Sequence, residues 1–156
     1  MTFLQVEPAY DKLDTVKELF VEYQAAIGLD LSFQKFGDEL ASLPGKYSLP
    51  HGRLYIASVD DSSAGCIALR AINKKHCEMK RLYVRTPFRG LGIGRALAEK
   101  VIADAETMGY NRMLLDTLPS MPEAISLYRK LGFVEIEAYC HNPYAGVVYL
   151  GLALRD

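Results

Sequence analysis

A chain of 156 residues, 50% hydrophobic and 24% charged, has the balance of a globular protein and needs no disulfide or metal staple to bury a core. Lys and Arg number 18 against 19 Asp and Glu, and the formal charge of −1 argues against a protein that coats nucleic acid or an anionic membrane. No stretch of eighteen apolar residues occurs, so no membrane span is expected.

Phe3 to Glu7 reads as a short strand that Pro8 ends. From about Ala9 to Ile27, Leu13, Val16, Leu19, Phe20, Tyr23 and Ile27 recur at helical spacing, and Gly28 supplies a stop. A second helix is predicted from about Ser32 to Leu43, broken by Pro44-Gly45. Arg53–Val59 and Ala64–Ile72 read as strands joined by the polar turn Asp60-Asp61-Ser62-Ser63, and Cys77–Val84 as a third. A glycine-rich stretch, Arg89 to Gly94, then opens a helix to Met108, whose buried stripe is Leu97, Val101, Ala105 and Met108. Arg112–Asp116 is a further strand. Ser120 and Glu123 form a capping-box signature for the helix that carries Leu127, Tyr128 and Leu131 and stops at Gly132. Phe133–Ile136 and Val147–Leu154 supply the last strands. No linker or repeat divides the chain, so residues 1–156 are expected to form a single domain. The element order predicts an α/β fold with a mixed sheet, antiparallel early and parallel around the crossover helix.

Cys66, Cys77 and Cys140 form no CxxC pair and read as free thiols of a reducing compartment. His76 and Cys77 are adjacent in a strand and diverge to opposite faces, so no metal site is expected there. The first residues lack the basic start and apolar run of a signal peptide, and a cytoplasmic location is the expectation.

Gly90, Gly92 and Gly94 lie between a strand and a helix. Glycines there let the backbone turn sharply and approach a ligand, while the unpaired N–H groups of the first helical turn point outward with the dipole's positive end behind them. Such an arrangement binds a pyrophosphate, and Arg89 and Arg95 could add charge to it. A Walker loop would need Gly-Lys-Ser/Thr, but Gly94 is followed by Arg95-Ala96. The dinucleotide fingerprint would need glycine or alanine where Leu97 stands.

Arg89-Gly90-Leu91-Gly92-Ile93-Gly94 instead resembles the Arg/Gln-x-x-Gly-x-Gly/Ala motif of the GNAT superfamily of N-acetyltransferases. Glu78 through Gly90 resembles that family's fourth strand and its approach to the loop. Ala124 through Phe133 resembles its helix ending in Leu-Tyr-x-Lys-x-Gly-Phe. The resemblance covers about Cys77 to Val134 and implies the GNAT fold, a central sheet of six to seven strands flanked by about four helices. It also implies acetyl-CoA as co-substrate, with no metal.

Residue by residue, the resemblance places the pantetheine arm along Leu82, Tyr83 and Val84, where a backbone N–H would hold the acetyl oxygen. The pyrophosphate falls on Arg89, Gly90, Leu91, Gly92, Ile93, Gly94 and Arg95. Tyr128 matches the position of the general acid, a phenol that would protonate the leaving thiolate; on the helix's buried stripe it also reads as a packing residue. Glu78 is the candidate general base, with strand-edge solvation or an ion pair to Lys80 or Arg81 as the competing role, and His76 ranks below it. Many relatives carry Asn where this chain has Met121, so that contact is either dropped or supplied by a neighbour such as Ser120.

Substrate choice in the superfamily comes from the first two helices and the last inter-strand loop, here about Tyr23–Tyr47 and Tyr139–Tyr144. The implied reaction moves an acetyl group to the primary amine of a small molecule, an amino acid or metabolite, by direct attack in a ternary complex. Alternatives are a transferase for a larger acyl group, decided by the room beside Leu82 and Leu115, and a catalytically silent acyl-CoA sensor. The short pairs Lys74-Lys75 and Lys80-Arg81 do not support a nucleic-acid partner. Nothing in the sequence decides for or against a homodimer.

Overall fold

A computed structural model describes residues 3–28, 30–31 and 35–155. Seven strands form one sheet in the order β1-β2-β3-β4-β5-β7-β6. They are β1 (Leu4–Pro8), β2 (Arg53–Val59), β3 (Ser62–Ala71), β4 (His76–Val84), β5 (Arg112–Thr117), β6 (Val134–Glu135) and β7 (Val148–Ala153). The helices are α1 (Leu13–Ile27), α2 (Phe36–Ser42), α3 (Ile93–Met108) and α4 (Pro122–Lys130). Every paired neighbour is antiparallel except β4 and β5, which α3 connects. The mixed sheet expected from the element order is therefore the one observed.

Alternation along the strands divides the core into two layers. Leu54 and Ile56 of β2 and Cys66 and Ala68 of β3 face Val16, Leu19 and Phe20 of α1 and Phe36 of α2. Their strand neighbours Tyr55, Ala57, Ile67 and Leu69 face Leu97, Ala98, Val101 and Ala105 of α3.

Several boundaries move for identifiable reasons. Pro8 lies inside β1, opposite Tyr55, and is tolerated because β1 is an edge strand. The first helix starts at Leu13, because the Ala9 N–H continues the sheet by donating to the Leu54 carbonyl and Lys12 closes a turn back onto Ala9. α2 begins at Phe36, and the predicted start at Ser32 lies outside the described residues. The β2–β3 turn is only Asp60-Asp61, both at positive φ (48° and 71°), the two-residue form that matches strand twist. The predicted capping box does not form. Met121 is the N-cap of α4, without a side-chain cap, and Ser120 is exposed.

Candidate active site

β4 and β5 pair over only three positions, His76↔Arg112, Cys77↔Met113 and Glu78↔Leu114. Beyond Glu78 the strands separate, although β4 runs on to Val84 and β5 to Thr117. Part of the cause lies on the other side of β4. Its register against β3 slips, with Ala68 opposite Lys80 and Cys66 opposite Tyr83, so Arg81 and Leu82 together oppose Ile67. This bulge puts Arg81 at φ 61°, a left-handed conformation that costs a non-glycine residue about 1–2 kcal/mol. The Arg81 side chain is pinned. Its Nη2 and Nε donate to the two Glu39 oxygens at 2.9 and 3.0 Å, and its guanidinium sits 5.2 Å from the Phe36 ring centre and 5.6 Å from that of Tyr23.

A cavity of about 50 Å³ occupies the separation. β4 contributes Met79 through Leu82, β5 and the turn after it Leu115 through Leu118, and α4 Tyr128 with its N-cap Met121. The end of α1 and the β6–β7 loop close it, through Tyr23 and Ile27 on one side and Asn142 and Tyr144 on the other. Leu82, Leu115 and Tyr128, three residues singled out in the sequence, thus meet in one place.

Tyr128 is 7% exposed, packed edge-on to Phe133 at 5.8 Å between ring centres. Burial pushes its phenol well above the ordinary value, with smaller contributions from Tyr23 and the charge of Asp116, so the proton stays on the oxygen. The packing role and a position at the cavity coexist.

Glu78 is buried, but its partner is neither Lys80 nor Arg81. Arg70, directly opposite on β3, donates from Nε to Glu78 Oε1 at 2.7 Å, and the Tyr139 hydroxyl donates to Oε2 at 2.5 Å. It does not line the cavity. His76, at the start of β4, is remote from the separation.

The β6–β7 loop is tied over the site at three points. Tyr139 holds Glu78, Asn142 Nδ2 donates to Asp116 Oδ2 at 3.2 Å, and the Tyr144 hydroxyl donates to the Asp30 carbonyl at 2.6 Å. Asp116 lines the candidate site, and the sequence reading passed over it. A charged residue ending the apolar run Met113-Leu114-Leu115, beside a parallel neighbour at a switch point, was the available signal.

At the far end of β4 the chain enters the glycine loop. Gly90 and Gly92 have φ of 81° and 78°, and a Cβ on either would meet nothing within 4 Å. The loop therefore stands off the protein and leaves space for a ligand. Gly92 is the N-cap of α3, and the first helical bond runs from Ala96 N to the Gly92 carbonyl, so the preceding N–H groups have no helical acceptor. Arg89 Nε donates to the Val84 carbonyl at 3.1 Å and laces the loop to β4. Arg95 instead pairs with Glu99 at 2.6 Å on the exposed face of α3. Leu91 is exposed and Ile93 buried. Leu82 faces the cavity, whereas Tyr83 donates from its hydroxyl to Glu22 of α1 at 3.2 Å, on the opposite side of the sheet from α3.

These features fit acetyl-CoA: an unpaired β4 edge to receive an extended arm as an added strand, and an anion-binding turn where that edge ends. Met121 stands in the cavity wall, while Ser120 does not. Among the described residues no group of three or more His, Cys, Asp or Glu could hold a metal ion, and no helix is long and apolar enough to cross a membrane.

Comparison with known proteins agrees with this architecture. An uncharacterised N-acetyltransferase of Schizosaccharomyces pombe is 43% identical over 144 residues, covering 91% of this chain and 88% of that one. The human N-acetylaspartate synthetase is 33% identical over 119 residues, covering 75% of this chain and 39% of that protein. The Campylobacter jejuni N-acetyltransferase PseH, solved in complex with acetyl coenzyme A, superposes with a TM-score of 0.64 at 18% identity, over 97% of this chain and 99% of that one. The model of the acetyltransferase (GNAT) family matches residues 13–133. This chain belongs to that family and is an acyl-CoA N-acetyltransferase.

Proposed function

We propose that residues 1–156 act as one catalytic domain that moves an acetyl group from acetyl-CoA to the primary amine of a small molecule by direct attack in a ternary complex. The observation that carries this reading is the cavity between β4 and β5, where the Tyr128 phenol meets the open edge of β4 at Leu82. Leu82, Tyr83 and Val84 would hold the pantetheine arm through their backbone. The turn from Arg89 to Arg95 would hold the pyrophosphate, with Arg95 released from its exposed pair with Glu99.

The bulge leaves the Leu82 backbone out of the regular β3–β4 register, which favours its N–H as the donor to the oxyanion formed when the amine attacks the thioester carbonyl. As the carbon–sulfur bond breaks, Tyr128 gives its proton to the sulfur. The ammonium proton lost before attack passes to the Glu78 side of the site. Tyr139 occupies Glu78 Oε2, so the route runs through that hydroxyl or through water. The small cavity beside Leu82 and Leu115 favours acetyl over a long acyl chain. That a relative is named for making an N-acetylated amino acid supports amino acids among the small amines.

Calorimetric titration with acetyl-CoA, followed by thiol release across pooled amines, tests the proposal. Tight binding with thiol release is expected. Binding without release from any pool would leave a silent acyl-CoA sensor, and absence of binding would overturn the loop assignment.

A further inference from the structure

Asp116 is the one carboxylate among the described residues that line the cavity. Met113 and Leu115 of β5 belong to the layer that α3 covers, so alternation sets Asp116 on the other face, the one that α1 covers. Tyr128 belongs to the α3 layer, and Leu82 packs against it. The cavity therefore joins a carboxylate on one face of the sheet to a phenol on the other, with the open edge of β4 between them. Glu78 is placed differently. It is 2% exposed, Arg70 and Tyr139 occupy its two oxygens, and it does not line the cavity. The donors that reach Asp116 are neutral, the Asn142 amide at 3.2 Å and the Cys140 thiol at 3.8 Å, and both fall on Oδ2. Among the described residues no donor falls on Oδ1 and no buried side-chain oxygen or nitrogen lacks a partner, so Oδ1 is open to solvent.

We infer that Asp116 is the group that meets the acceptor ammonium and takes its proton on Oδ1. This rests on the acetyltransfer proposed above and supplies the first group on its proton route. The ammonium gives a proton to Oδ1, and the freed lone pair on nitrogen forms the carbon–nitrogen bond at the thioester carbonyl. The proton on Asp116 then leaves through water or the Tyr139 hydroxyl. When the carbon–sulfur bond breaks, sulfur takes the Tyr128 proton, and the second proton shed by nitrogen returns to that phenolate through water. One proton thus leaves on coenzyme A and one enters solvent. The surroundings of Asp116 suit the task. Its field reaches Tyr23 of α1, Lys80 of β4, Tyr128 of α4, Tyr149 of β7, and Tyr139 and Cys140 of the β6–β7 loop. Burial raises all four phenols, and burial followed by the Asp116 charge pushes the Cys140 thiol up to about 11. At neutral pH none of these five carries a negative charge that would take the proton instead. Arg81 and Lys80, on the β4 wall, set like charge against the ammonium and favour its neutral form, the one that attacks.

The test is steady-state thiol release at saturating acetyl-CoA across about pH 6–10, with the fastest acceptor among the common L-amino acids, butylamine and putrescine. For the native enzyme, kcat/KM in total amine should be level from neutral pH to the acceptor's own pKa, because the enzyme removes the proton. Asp116→Asn keeps the shape of the side chain and an oxygen for Asn142, and should lower kcat/KM at about pH 7 by about 10²–10⁴-fold. Its remaining rate should climb about tenfold per pH unit, since only amine already neutral in solution then reacts. Asp116→Glu should keep a level profile at an intermediate rate. Calorimetric affinity for acetyl-CoA, expected native in both variants, checks the fold and the cofactor site. An Asp116→Asn enzyme with native kcat/KM, or a slowed one whose profile stays level, would overturn this inference while leaving acetyltransfer standing. Loss of acetyl-CoA affinity in that variant would do the same, by making the role of Asp116 structural. Acetyl-CoA binding with no thiol release from any compound by the native enzyme would overturn both.

Discussion

Replacing Glu39 by alanine removes the carboxylate that, among the described residues, holds Arg81, whose side chain is 2% exposed against 16% for Glu39. A buried charge stripped of its partner costs about 3–5 kcal/mol. The faces of Tyr23 and Phe36 keep part of the interaction, each worth about 0.5–2 kcal/mol, so the expected loss is about 2–4 kcal/mol. For a chain of this length that is a fall in Tm of roughly 4–16 °C. Thermal and urea unfolding without ligand measure it. The double variant Glu39→Leu/Arg81→Met removes both charges and should recover most of the loss, because an apolar pair of similar volume is close to neutral in such a place. Because Arg81 forms the bulge next to Leu82, thiol-release turnover should fall in the single variant and stay low in the double. A single variant melting within 2 °C of native on the scale just worked, or a double variant that loses the sum of its parts, would refute the reasoning.

Tyr128→Phe keeps the edge-on packing against Phe133 and should lower kcat by about 10²–10⁴-fold with acetyl-CoA affinity nearly unchanged; unaltered kcat would remove Tyr128 as the acid. Gly92→Val forces a branched side chain into φ 78°, costing about 1–3 kcal/mol, yet the space around it is open, so the fold should persist while acetyl-CoA affinity is lost. Native affinity by calorimetry would disprove the loop assignment. Burial pushes the Cys77 thiol up to about 12, so its contribution to stability is full below the unfolded thiol's pKa near 9.0 and is lost as pH rises toward 12. Between pH 7 and pH 10 that loss is about 1–2 kcal/mol by urea unfolding, and Cys77→Ala should remove it; an equal alkaline loss in the variant would contradict the assignment.

Periodicity and glycine placement made the elements legible, since each depends on local chain geometry: β2 matches its expected bounds and α3 ends at Met108 as read. The glycine loop and Tyr128 were legible because short motifs carry them. The bulge at Arg81 was not. A left-handed arginine has no local signature, and the groups that hold it, Glu39 at 42 residues' remove and the rings of Tyr23 and Phe36, are all distant in sequence. Glu78 was assigned the wrong charged partner for a similar reason. Lys80 and Arg81 are its neighbours in sequence, but strand pairing brings Arg70 opposite. Asp116 acquired meaning only when the β6–β7 loop folded back to place Asn142 and Cys140 on it. The capping box failed because the turn that closes Met121 N on the Leu118 carbonyl moves the helix start one residue past Ser120.

Four consecutive residues, Glu78-Met79-Lys80-Arg81, show why this strand cannot be read as scaffold alone. Glu78 and Arg81 are 2% and 3% exposed, and each spends its charge on a partner from another element. Buried ion pairs seldom outperform apolar residues of the same volume, so stability by itself gives little reason to keep two of them within four residues. What they do fix is position. Arg70 and Tyr139 tie β4 to the β6–β7 loop through Glu78, and Glu39 ties α2 to the bulge through Arg81. The two ties hold β4 on either side of Lys80 in the sequence, where the strand has already parted from β5. A cavity wall anchored in this way keeps the open edge of β4 at a defined point in space, which is the condition for positioning a ligand rather than merely admitting one.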